Sequence, residues 1–228
     1  MVFPSGLKAT AWISPLCPLL AHKMGEVYVR RRDQERAETL FETARSAYES
    51  VGRARDLAHL YVDWSRLEYQ VDKLDAARVL ADRALNFALQ EGDQRVQAQA
   101  TNLLGVLARW RGDLDQAKKY VESSLALAEA LNDLTAQVAA LNNLALVCGQ
   151  AGDLKQAITL AEMALQLCNR SGDRHREAAI HNNLADLHHR AGQSESAMAH
   201  LKSAVAIFTE IGGETGAEVP GIWKLTDW

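Results

Sequence analysis

Seven histidines and three cysteines are the residues of this 228-residue chain best suited to metal or nucleophilic chemistry. His181, His188 and His189 crowd one stretch, with His200 shortly after. A zinc site on a helix calls for histidines at i and i+4 with a third ligand close by, and no histidine pair here has that spacing. His181 falls on a column that holds Thr101 and Leu141, and His188 on one that holds Ala108 and Cys148. Partly buried packing histidines are therefore expected, with no metal and no cofactor. Cys17, Cys148 and Cys168 form no C-x-x-C pair. Cys148 and Cys168 lie among apolar neighbours and not at a helix start, where a thiolate would be favoured. No Walker loop, G-x-S-x-G or H-E-x-x-H occurs. The expectation is no catalytic residue and no enzyme.

Amides are the better candidates. Asn102, Asn142 and Asn182 stand 40 residues apart, and Asn143 and Asn183 follow the last two. Asparagine inside an apolar helix runs against helix propensity. Its amide offers both a donor and an acceptor, so each could hold one peptide unit of an extended ligand, or bridge to the neighbouring unit. Val106, Trp110 and Leu146 would form an apolar wall beside them, and Arg109 and Arg190 would favour acidic side chains or a C-terminal carboxylate. Arg30, Arg31 and Arg32, with Lys23 and Arg36, make the one dense basic cluster: a solvated end, or a dock for an acidic segment. The formal charge of −4 and the lack of interleaved aromatics give no reason to expect nucleic acid or an acidic membrane. The stretch from Ala9 to Ala21 is broken by Pro15 and Pro18, which argues against an export signal, and no apolar run reaches the roughly 18 residues of a membrane span. Sparse, unpaired cysteines suit a cytoplasmic protein. Oligomeric state stays open.

The elements that must position these residues show in the punctuation. Between Leu19 and Val219 there is no proline, which suits helices and not the many turns of a sandwich or barrel. Three segments align with starts 40 apart: NLLGVLARWRGDLDQA from Asn102, NNLALVCGQAGDLKQA from Asn142 and NNLADLHHRAGQSESA from Asn182. The same step gives small-residue columns: Gly25, Ser65, Gly105, Ala145 and Ala185; Ala37, Ala77, Ala117, Ala157 and Ala197; Ala44, Ala84, Ser124, Ala164 and Ala204. Small residues let antiparallel helices approach to about 8–10 Å. Five units of two helices each are expected, about 18–52, 53–92, 93–132, 133–172 and 173–212, after an N-terminal extension 1–17. Hairpin boundaries are expected near residues 112, 152 and 192. Gly52, Gly92, Asn132, Gly172 and Gly212 should close second helices in the left-handed conformation, and Asp93, Asp133 and Asp173 should cap the next. The turns at Arg32-Asp33 and Asp72-Lys73 should be less regular. Residues 213–228 break the phase, and Ile222, Trp223, Leu225 and Trp228 could cap the last unit or serve as a docking peptide.

Leu104-Gly105, Gly112-Asp113 and Ala117, with the small columns, resemble the marks of the tetratricopeptide repeat. The likeness covers about residues 18–212 and is specific in the last three units. Trp64-Ser65 replaces the Leu-Gly pair in the second unit, the family's closing proline is absent, and the period is 40 where about 34 is usual. Longer repeats of this kind are similar to those of bacterial regulators and kinesin light chains. The ending resembles the C-termini of arrays in multidomain signalling regulators carrying a cyclase or an ATPase. The resemblance implies an all-α, right-handed superhelical solenoid that binds a protein or peptide on its concave side. It would act as a scaffold, or as the sensor module of a cyclase, signalling ATPase or transcriptional regulator. The asparagines, Val106, Arg109, Trp110, Leu146 and Arg190 would lie on that concave side.

Overall fold

The computed structural model describes residues 18–215, which form ten helices and, among the described residues, no strand. In chain order they are α1 (Pro18–Arg30), α2 (Gln34–Ser50), α3 (Ala54–Gln70), α4 (Leu74–Gln90), α5 (Gln94–Trp110), α6 (Leu114–Ala130), α7 (Leu134–Gln150), α8 (Leu154–Ser171), α9 (Arg174–Arg190) and α10 (Ser194–Thr215). Each odd-numbered helix packs on the even-numbered helix that follows it. The chain divides into two compact units, one ending at Asp93 with α1 to α4 and one beginning at Gln94 with α5 to α10. Cys17 and the apolar tail residues Ile222, Trp223, Leu225 and Trp228 lie outside the described residues.

One turn joins nearly every pair of helices. The left-handed conformation recurs every twenty residues, at Arg32, Gly52, Asp72, Gly92, Gly112, Asn132, Gly152, Gly172 and Gly192. In most of these turns the next amide reaches back to a carbonyl five residues earlier, as Asp113 N does to Ala108 O at 3.0 Å and Asp153 N to Cys148 O at 3.0 Å. That bond closes a Schellman motif. At Asp113, Asp133 and Asp153 the same residue then caps the next helix, its carboxylate accepting from the backbone N–H three residues on, and Asp173 caps α9 in the same way. One aspartate thus ends one helix and starts another, which is why three residues suffice as a linker.

Two turn expectations change. Arg32-Asp33 and Asp72-Lys73 adopt the same geometry as the glycine turns, with φ of 58° at Arg32 and 62° at Asp72. Their closing bonds, Asp33 N to Tyr28 O at 3.0 Å and Lys73 N to Glu68 O at 2.8 Å, hold two non-glycine residues in a conformation that costs about 1–2 kcal/mol each. Gly212 does not end its helix: α10 continues to Thr215.

The small columns are helix crossings. Ala37, Ala77, Ala117 and Ala157 are fully buried, as are Ala44, Ala84, Ala164 and Ala204. At Gly105 even a Cβ would collide with the Val121 side chain and stand 3.3 Å from the Ala117 carbonyl oxygen. At Gly25 the ring of Phe41 fills that space. The serines of these columns donate to the carbonyl of the facing helix, Ser65 to Ala77 O and Ser124 to Ala98 O, each at 2.7 Å. A buried hydroxyl is thereby satisfied where alanine stands in other hairpins.

Candidate peptide-binding face

In the second unit α7 packs beside both α5 and α9, so the first helices of three hairpins share one face. The predicted asparagines meet one another there. Asn143 Nδ2 donates to Asn102 Oδ1 at 3.0 Å, and Asn183 Nδ2 donates to Asn142 Oδ1 at 2.8 Å. Both pairs span 41 residues, one more than the repeat. Each links a residue of one column to a residue of the next column on the adjacent first helix. The first unit uses the same offset between α1 and α3, where His22 Nε2 meets Asp63 Oδ2 at 3.0 Å. Asn142, Asn143 and Asn183 are buried, whereas Asn102 and Asn182 are half-buried.

The remaining predicted residues differ in access. Trp110 is 53% exposed, with the Arg109 guanidinium 5.4 Å from its ring centroid. Leu146 is half-buried and Val106 is buried. Arg190 donates to the Gly149 carbonyl at 2.6 Å and lies 3.5 Å from Asp186, so it too ties α9 to α7. A shallow notch between α7 and α9 is lined by Val138, Ala139, Asn142, Arg176, Ala179 and Ile180. Arg176 was not among the residues expected here. It stands where Val96 and Ala136 stand in the two preceding hairpins, a basic residue in an otherwise small or apolar column.

The thiols are not poised as nucleophiles. Burial, with Asp173 and Glu177 nearby, pushes the Cys168 thiol up to about 11, and burial raises Cys148 as well. The histidines cluster where α9 meets α10. His181 Nδ1 and His200 Nδ1 are 2.9 Å apart, and the His188 ring stacks on His200 with centroids 5.2 Å apart. Burial holds His181 below its ordinary value; burial and the facing His181 and His188 do the same for His200. Glu177 opposes the shift at His181 and Arg174 adds to it. The unfolded chain therefore takes up protons first as pH falls through about 6.5, and stability is lost from there down through the lowered folded values. We expect the melting temperature to fall between pH 7.5 and pH 5.5, and to fall less in His200→Gln. Equal falls in the two proteins would remove the histidine cluster from the account.

Among the described residues no helix is long and apolar enough to cross a membrane. The tetratricopeptide repeat family model matches residues 96–170 and 136–210. No curated protein matches the chain in sequence. Similar structures include BtubC (BKLC) from P. vanneervenii, at 19% identity over 86% of this chain and 84% of that one, with a TM-score of 0.70. A Rap protein complexed with competence and sporulation factor matches 90% of this chain and 58% of its own, at 14% identity and a TM-score of 0.80. A signal transduction ATPase with numerous domains from Pyrococcus horikoshii, carrying a tetratricopeptide repeat sensor, matches 94% of this chain and 33% of its own at 15% identity, with a TM-score of 0.68. At these identities the likeness is one of fold.

Proposed function

The chain belongs to the tetratricopeptide repeat family, and from that footing we propose that it is a non-enzymatic scaffold that binds a protein or peptide segment on the face built by α5, α7 and α9. The observation that carries this reading is the exposed Trp110, its ring flanked by Arg109, at the end of the helix that also presents the half-buried Asn102. A rigid aromatic with a cation beside it is a typical anchor for a ligand chain. The amides and the Arg176 notch supply polar contacts further along the face. The Asn102–Asn143 and Asn142–Asn183 pairs already serve as bridges, so a ligand would use the remaining donor and acceptor capacity of Asn102 and Asn182 first.

A peptide library displayed on phage and panned against the whole chain supplies the probes. The recovered peptides should bind Trp110→Ala about tenfold more weakly, a loss of about 1.4 kcal/mol, while the exposed site leaves melting unchanged. Full affinity in Trp110→Ala would place the binding surface elsewhere.

The inter-helix amide bridges favour a second reading, a ligand-sensing module of a larger cyclase, signalling ATPase or transcriptional regulator. A ligand that competed for Asn102 or Asn142 would loosen the tie between adjacent first helices. The Rap structure with its bound factor and the ATPase with its repeat sensor support this reading by fold. Hydrogen exchange that speeds up in α7 when a recovered peptide binds would favour the sensor; protection there would favour the plain scaffold.

A further inference from the structure

Three ligand atoms of different residues converge in the first unit. His22 Nε2 and Glu26 Oε1 from α1 and Asp63 Oδ2 from α3 all lie within 4.8 Å of one another. His22 Nε2 is 3.0 Å from Asp63 Oδ2 and 3.6 Å from Glu26 Oε1. A tetrahedral zinc ion bonded at about 2.0–2.1 Å sets its ligand atoms about 3.3 Å apart, and the two spacings bracket that edge. His22 and Glu26 are one helical turn apart and share a face.

The surroundings are built as metal sites are built. His22 is only 3% exposed, and the rings of Phe41 and Tyr48 meet it edge-on at centroid distances of 6.0 and 6.2 Å, which fixes its plane. Arg66 holds the other oxygen of Asp63, Oδ1, at 3.1 Å, as a second-shell partner orients a ligating carboxylate. Glu26 and Asp63 are each 24% exposed at the side chain, which leaves a side open to water. The Lys23 ammonium sits on Glu26 Oε1, the same oxygen that faces His22. A cation therefore already stands at one ligand of the set, on a side chain 58% exposed and free to swing away.

We propose that His22, Glu26 and Asp63 form a three-ligand site for a divalent transition ion of the zinc class, with the Lys23 ammonium as a built-in competitor for it. One imidazole and two carboxylates suit zinc or cobalt, with water completing the tetrahedron. The neutral His22 ring must then carry its proton on Nδ1, because the metal takes Nε2.

The test uses the full chain with cobalt as a spectroscopic probe and zinc as a thermal one. Lys23→Ala should bind cobalt at least about tenfold more tightly than the parent chain, with visible absorption of a tetrahedral ion, and zinc should raise its melting temperature more. In that background Glu26→Gln, which spares the His22–Asp63 bond, and Asp63→Asn should each cost at least about tenfold. Circular dichroism confirms that the variants fold. Equal cobalt binding by the parent and Lys23→Ala overturns the proposal. So does an unchanged spectrum in Glu26→Gln and Asp63→Asn, which would assign the metal to the histidines of α9 and α10.

Discussion

Gly105→Leu is expected to lower stability by about 3 kcal/mol, at the upper end of overpacking costs. The Cβ alone would collide with Val121 and press on the Ala117 carbonyl, so α5 and α6 must move apart and give up packing to admit the side chain. Ala117→Leu and Ala157→Leu approach similar crossings with fully buried positions and should cost about 1–3 kcal/mol each. Urea unfolding followed by circular dichroism measures all three. Midpoints within error of the parent chain would mean that helix spacing is set by something other than these small residues.

Asn183→Leu is expected to cost about 2 kcal/mol, because it leaves the buried Asn142 carbonyl oxygen without its amide donor. The informative comparison is the double variant Asn142→Leu/Asn183→Leu. Replacing both partners by apolar groups of similar size removes the unmet polar atom, so most of the loss should be recovered. Additive losses in the double variant would show that the amides act separately and not as a bridge. Peptide binding measured on the same variants separates the two readings of the asparagines, since the double variant restores packing without restoring amides.

Much of the fold was legible because single residues encode it. Ala117 and Ala157 stand at crossings, and Gly112, Gly152 and Gly192 take positive φ; each can be read from its type and its place in a column. The first two hairpins were less legible, since Arg32 and Asp72 fill left-handed positions that residue type does not announce. The site was legible only in part. The five asparagines stand out by type, but their partnering depends on an axial offset between adjacent first helices, which adds one residue to the 40-residue step. A column read by itself never shows that offset. The approach of Asp63 to His22 is hidden in the sequence for the same reason, because it runs through that same 41-residue offset. Arg176 carried a weak signal, a charge where neighbours are small, and no feature of the sequence said that it faces a notch.

The turn that recurs every twenty residues makes no distinction between a link inside a hairpin and a link between hairpins. The chain therefore carries a ruler with uniform marks. Excising the 40 residues 113–152 would join Gly112 directly to Asp153, again a left-handed glycine followed by a capping aspartate. Arrays built on such a ruler can lengthen or shorten by whole hairpins without inventing a new junction. A single inserted residue within a helix, by contrast, would turn every later side chain by about 100° and take the small columns off their crossings.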